Sequence, residues 1–275
     1  MSYARVLRFA LIVAIALLFF LPLWWVAVSG IRPSDEVFKF LSPISPWTLW
    51  PQELTFEHLV ELWNGAFRVA IFNSIYVTLV TVIVGLVVCA TAAFALAVID
   101  FPFRNAVFII MVVSFLIPFD AIAVPLFNIM RGLGLQNTYT GLILPGIGNG
   151  LAVFLLRQFF LGIPKELREA AFVDGMGWFG IFARIYVPLS GPALVSAALI
   201  LFVFQWQAYL WPLLIAPNPE YKLAAVAMAQ LSNIYDQNFG LLFAAALFIA
   251  LVPMVVLSAL QRFYTASVAS SGSKE

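Results

Sequence analysis

The stretch EAAFVDGMGWFGIFARIYVP, Glu169 to Pro188, decides how this chain is read, because it carries charge between two apolar spans. Pro164, just upstream, suits the first turn of a helix: its ring pre-sets φ and its missing N–H leaves no hydrogen bond unmade. Glu166 and Glu169 then fall toward the positive end of that helix, where carboxylates are favoured. Gly175 marks the end, since glycine enters the left-handed C-terminal cap without a Cβ penalty. Leu167, Ala170, Ala171 and Asp174 follow an i, i+3, i+4, i+7 course and are expected on one face. That face is small and shallow. Glu169 and Asp174 border it, and it leaves room for another surface to approach the backbone.

Working outward, the composition excludes most soluble functions. The chain is 64% hydrophobic and 10% charged, against roughly half and a quarter in ordinary globular domains. A formal net charge of +1 supplies no basic field for nucleic acid. Cys89 is the single cysteine and His58 the single histidine, so neither an internal disulfide nor a histidine metal cluster is expected. None of the four lysines, Lys39, Lys165, Lys222 and Lys274, lies in a G-x-x-x-x-G-K-[ST] loop, so the chain lacks that phosphate cradle. No nucleophile–base pairing stands out either. The expectation is a non-enzymatic membrane protein.

Six apolar spans are expected, at about 9–29, 71–99, 107–130, 141–160, 193–215 and 241–261, each near the ~20 residues a bilayer needs. The first follows Arg5 and Arg8 and ends beside Trp24 and Trp25. Its length exceeds a signal-peptide core, and the tryptophans suit an interfacial belt, so it reads as an uncleaved span. Pro118 and Pro125 interrupt the third span, and Pro145, Gly146, Gly148 and Gly150 weaken the fourth. Residues 31–68, with four prolines and several acids, read as an exposed connector, with a docking surface for an extracytoplasmic solute-binding protein as the alternative. Ser74, Thr78, Thr81, Gly85 and Cys89 trace a small, weakly polar stripe along the second span, expected to be a helix-packing seam.

Charge placement orients the chain. With a cytoplasmic amino terminus, Arg5, Arg8, Arg104, Arg157, Lys165, Arg168, Arg184, Arg262 and Lys274 lie inside, nine residues. Arg32, Lys39, Arg68, Arg131 and Lys222 lie outside, five residues. That is the direction of the positive-inside rule, and it puts both termini and the Glu169 segment in the cytoplasm.

Glu169-Ala170-Ala171, then Gly175, then Ile185-Tyr186-Val187-Pro188 resembles the EAA motif of ABC importer permeases, with Val187 where the family usually has leucine. The flanks IPKELREAAFVDG and IYVPLSGPAL resemble the carbohydrate-uptake, maltose-type branch, second-permease subfamily. Asn73-Ser74, Ala92-Ala93-Phe94-Ala95, Gly132 to Thr138, and Gln261-Arg262-Phe263-Tyr264 are similar to other segments of that family, whereas the tail Ala266 to Glu275 departs from its glycine-rich ending. Trp206-Gln207 to Pro212 resembles a further segment, with Gln207 in place of asparagine.

The resemblance implies an all-α membrane protein, a type I ABC importer permease of six transmembrane helices with a cytoplasmic coupling helix, 163–188, in a single domain. It implies coupling to the ATPase through Leu167, Glu169, Ala170, Ala171, Asp174, Gly175, Ile185 and Pro188. It also implies a second homologous permease subunit, two copies of an ABC ATPase, an extracytoplasmic sugar-binding protein, and residence in the bacterial inner membrane. ATP and Mg would sit on the partner ATPase, with no cofactor or metal on this chain.

Candidate pathway residues come from bilayer physics. Asp120 is an ionisable group in an apolar span, and such groups default to a functional reading. An interfacial position, or pairing with a neighbouring helix, is its plainer alternative. Gln205, Trp206, Gln207 and Tyr209 combine amide hydrogen-bonders with aromatic faces, a chemistry suited to neutral polyols. Interfacial anchoring and helix–helix bonding would use the same residues. Two alternative functions stand beside sugar import: an ion-coupled secondary transporter using Asp120, and an ABC importer of glycerol phosphate or another polar solute.

Overall fold

The computed structural model describes residues 3–231 and 238–271. Among these the regular secondary structure is helical, apart from one isolated bridge between Leu41 and Ile44. Three single helices are long and apolar enough to cross a membrane: Arg5–Ser29, Ala66–Val98 and Phe239–Gln261. Three bent pairs reach that length and apolarity only when taken together, Arg104–Leu116 with Phe119–Gly132 at 101°, Tyr139–Gly146 with Gly150–Leu161 at 44°, and Trp178–Leu189 with Gly191–Trp206 at 87°, which makes six spans if each pair is one. The divergent tail, Ala266 to Glu275, lies partly outside the described residues.

The bends have local causes. Ile117 precedes Pro118 and is extended (φ −72°, ψ 121°), because the proline ring disfavours the α region for the residue before it. The third span is therefore not one helix: α4 (Arg104–Leu116) stops and α5 (Phe119–Gly132) starts in a new direction. Pro125 does not break α5, which runs through it. In the fourth span α6 (Tyr139–Ile143) gives way to a tight turn at Leu144–Gly146 before α7 (Gly150–Leu161). The fifth is likewise discontinuous. Its main helix α11 (Gly191–Trp206) ends three residues before α12 (Leu210–Ile215).

The packing divides into two compact units. The first comprises Met1–Ile71 and Ala224–Val255. It holds α1 (Tyr3–Ser29), α2 (Glu57–Asn64), the start of α3 (Ala66–Val98), α13 (Ala224–Leu231) and most of α14 (Phe239–Ser271). Leu62, Phe67, Ile71, Ala224, Ala244 and Ala245 form its core. The end of α1 meets α14 at backbone distance, since a Cβ on Gly30 would fall 2.9 Å from the Ala244 nitrogen. His58 finds a structural use here. Its Nε2 lies 3.1 Å from Ser34 Oγ, which in turn donates to Asn238 Oδ1, the group that caps the Leu241 N–H at the head of α14.

The second unit comprises Phe72–Leu223 and Val256–Glu275. The small stripe of α3 is its seam. Ser74, Thr78, Thr81 and Cys89 are all buried, and a Cβ on Gly85 would sit 3.2 Å from the Ile147 carbonyl oxygen. The missing side chain lets the irregular 144–149 segment lie directly on the helix, as small residues permit between membrane helices. Cys89 Sγ reaches the Ile147 and Asn149 carbonyls at 3.7 Å each. At the other end of α3, Tyr139 donates to Asn73 Oδ1 at 2.8 Å, and Asn73 donates to the Glu220 and Lys222 carbonyls. In the Gly132–Thr138 loop, Asn137 adopts φ +54°, donates its N–H to Ile215 O at 2.8 Å, and accepts from the Asn218 N–H.

Candidate functional site

The Glu169 segment lies in the second unit as a short helix, α8 (Lys165–Val173), followed by a turn and a helical stretch. That stretch runs from α9 (Trp178–Ile181) through a π turn at Phe182–Tyr186 into α10 (Val187–Leu189). Pro164 sits one position earlier than expected, at the N-cap. Glu166 occupies the first turn, but Glu169 lies mid-helix, too far along to feel much of the dipole. The end is as expected. Gly175 has φ +78°, its N–H reaches Phe172 O at 3.0 Å, and the Met176 N–H reaches Ala171 O at 2.9 Å. This pair of bonds is a Schellman motif, which satisfies two of the carbonyls a helix end leaves over.

The single shared face needs correction. Ala171 is 3% exposed and belongs to the hydrophobic core beneath the helix, whereas Leu167, Glu169, Ala170 and Asp174 are exposed. Adjacent residues on a helix are ~100° apart, so the line between core and surface runs between the two alanines. Arg168 shares the inner side with Ala171. Its Nη1 donates to the Val98 carbonyl at 3.1 Å. Outward, α8 and its turn present Glu166, Glu169, Ala170 and Val173, and Phe179 stands 81% exposed nearby. Ile185 packs partly against the core, and Pro188 is exposed.

Two features that the sequence did not disclose hold this surface in place. The first is a set of arginines on the C-terminal end of α3, where carbonyls lack helical partners and the dipole is negative. Arg157 Nε donates to Leu96 O at 3.1 Å, Arg168 to Val98 O, and Arg104 to Ile99 O at 3.3 Å and to Asp100 at 2.7 Å. The second is Phe94, 5% exposed, whose ring packs on Phe182 (5.2 Å), Tyr186 (5.0 Å), Phe160 and Trp178 (6.4 Å each). Trp178 in turn meets Phe172 of α8 edge-on at 4.7 Å. Together these contacts make α8, α9 and the end of α3 one packed body. The Ala92–Ala95 pattern quoted above is the only sequence signal near it.

The pathway candidates fall on breaks. Asp120 is exposed in the first turn of α5, just past the 101° bend. The neighbouring Phe119 ring meets Trp211 of α12 edge-on at 5.9 Å. Gln205 and Trp206 end α11 and are buried, while Gln207 and Tyr209 are exposed in the gap before α12. A Cβ on Gly146 would lie 2.5 Å from Gln205 Oε1 and 2.9 Å from the Thr81 methyl, so the glycine makes room for the amide. Thr81 Oγ1 and Trp206 Nε1 are buried with no hydrogen-bond partner among the described residues. No cluster suited to a metal ion occurs among the described residues.

Comparison with known proteins follows the same line. The family described as binding-protein-dependent transport system inner membrane component matches residues 85–270. The chain is 34% identical to the arabinooligosaccharides transport system permease protein AraQ of Halalkalibacterium halodurans, covering 100% of this chain and 97% of that protein. It is 28% identical to the sn-glycerol-3-phosphate transport system permease protein UgpE of Agrobacterium fabrum, covering 95% and 94%. A crystal structure of a bacterial ABC transporter involved in the import of the acidic polysaccharide alginate contains a chain with the same fold. That chain has a TM-score of 0.80 and 21% identity, over 96% of this chain and 98% of its own.

Proposed function

Because the chain belongs to the family of binding-protein-dependent transport system inner membrane components, we propose that it is a permease subunit of an ATP-driven carbohydrate importer, worked by a separate ATPase through α8. Membership makes it a multi-pass membrane permease, and that supersedes the ion-coupled secondary transporter. In this reading both termini and α8 are cytoplasmic. A second homologous permease, two ATPase copies carrying ATP and Mg, and an extracytoplasmic sugar-binding protein complete the assembly. The chain itself performs no chemistry.

The observation that carries the proposal is the outward face of α8. It is a capped helix anchored from below by Ala171 and Arg168, with Glu166, Glu169, Ala170 and Val173 turned away from the body. A helix held that way transmits a push as a rigid piece. The bent spans, in turn, offer hinges between inward- and outward-facing packings, as alternating access needs. Substrate then passes the breaks that carry Asp120, Gln205, Trp206, Gln207 and Tyr209. These five side chains include no cation to pair with a phosphate, which favours a neutral or amino sugar over glycerol phosphate.

The test is co-expression with the partner permease and ATPase, purification, and uptake into proteoliposomes supplied with the sugar-binding protein and a panel of sugars. Ala170→Arg places a bulky charge on the outward face and is expected to abolish ATP-driven uptake and release the ATPase. Uptake undiminished by that change would remove α8 from the mechanism.

A further inference from the structure

Residues 40–52, FLSPISPWTLWPQ, hold no charged side chain, and Lys39 and Glu53 bracket them. In the first unit this segment folds on itself. The Ser45 N–H bonds to Phe40 O at 3.2 Å, Leu41 and Ile44 form a bridge, and Pro46–Thr48 makes a tight helical turn.

Its polarity is inverted. Thr48 points inward, its hydroxyl donating to Phe40 O. Arg32, 1% exposed, donates from Nη2 to the Thr48 carbonyl at 3.3 Å. Ile44 (82%), Trp50 (59%), Trp47 and Leu49 are turned outward. Scattered exposed apolar residues need no explanation, but a contiguous set marks a surface that meets something other than water. A loop folded for water would bury Ile44 and Trp47 and expose Thr48.

The segment is continuous with the end of α1, a span that this chain leaves almost wholly uncovered. In α1 only 6% of the spanning window is buried. Near its end, Trp24 donates from Nε1 to Leu49 O at 2.8 Å, and its ring stacks on Trp50 at 6.0 Å. Tryptophans at the end of a span mark the membrane–water boundary, where an apolar ring and a polar N–H are both accommodated.

We propose that residues 40–52 form an interfacial anchor, resting the Ile44–Trp47–Trp50 side in the headgroup–acyl boundary of the bilayer at the Trp24 end of α1. The segment is too short to cross a bilayer, which takes about 20 residues, and its tryptophan rings favour the headgroup level, so it lies along the interface rather than across it. The buried Arg32 fixes the loop in that posture from behind. The segment then sets the depth and tilt of α1, a role distinct from the passive connector expected from its prolines.

The experiment uses the whole complex in phospholipid nanodiscs. In a Cys89→Ala background, Ile44→Cys carries an environment-sensitive fluorophore, with Trp47→Cys as a second site and Glu53→Cys as a control just beyond the apolar run. Quenching by lipids bearing a nitroxide high on the acyl chain is compared with quenching by aqueous iodide. At positions 44 and 47 the lipid nitroxide is expected to remove most of the emission and iodide little, with the order reversed at 53. Iodide quenching at all three sites overturns the proposal. So does emission at 44 that shifts only when the sugar-binding protein is added, which would make the surface a protein-docking site. Neither readout depends on transport, so failure here leaves the importer reading standing.

Discussion

Gly175 offers the sharpest test of how α8 is built. Replacing it with alanine adds a methyl group that meets nothing within 4 Å, so sterics with neighbours cannot penalise the change. The backbone can. At φ +78° an L-residue with a Cβ is disfavoured by about 1–2 kcal/mol relative to glycine. Gly177, two residues on, is the internal control. Its Cβ would also meet nothing, and its backbone is extended at φ −81° at the N-cap of α9, so Gly177→Ala should cost only what alanine loses to glycine at an N-cap and leave the 173–176 amides unchanged. The penalty at 175 falls on the Schellman bonds from Gly175 and Met176, and should raise the open population of that cap by roughly 5- to 30-fold. Hydrogen exchange of the 173–176 amides in the intact complex reads this directly, and coupled uptake should fall with it. Gly175→Asn should be milder than alanine, since asparagine tolerates the left-handed region. Equal effects of alanine at 175 and 177 would refute the argument, because they would mean that loss of glycine flexibility, not positive φ, is what matters.

Three further outcomes are expected. Arg168→Met removes the charged donor on Val98 O, and Arg168 is only partly exposed. The change should destabilise the α8 attachment by about 1–2 kcal/mol, seen as a lower melting temperature of the complex with Arg168→Lys in between. Phe94→Ala empties the centre of the ring cluster at a cost of about 3–5 kcal/mol, so the purified complex should lose most of its thermal stability, whereas Phe94→Leu should retain part of it. Gly85→Val forces the 147 backbone off α3 and should lower stability by about 1–3 kcal/mol; Gly148→Ala, whose Cβ meets nothing, should leave it unchanged.

Much of the fold was readable because bilayer physics imposes long apolar runs that no soluble pattern mimics. The same strength hides where a run breaks. Pro118 and Pro125 look alike in sequence, yet only the first ends a helix, because Ile117 before it turned extended while α5 absorbed the second. At α8 the glycine stop was legible from conformational preference alone. Which of Ala170 and Ala171 faces inward was not, since two adjacent small residues fit either side until the core is known. Arg157 and Arg168 on the end of α3 escaped notice for a related reason. Their importance comes from partners brought together across 61 and 70 positions of chain, and no local pattern encodes that. His58 was read only as a ligand that had no companions; its pairing with Ser34 required the fold.

The π turn at Phe182–Tyr186 has a consequence for anyone counting along this segment. A wide turn holds one residue more than an α turn, so everything after it is out of phase by about 100° with a helical wheel drawn from Trp178. Ile185 and Pro188 therefore point where an uninterrupted count would not put them. The bulge also works as a vernier between α9 and α11. A one-residue deletion there can be taken up by relaxing to ordinary winding, which would leave both the direction of α11 and the facing of Trp178 toward Phe172 of α8 intact.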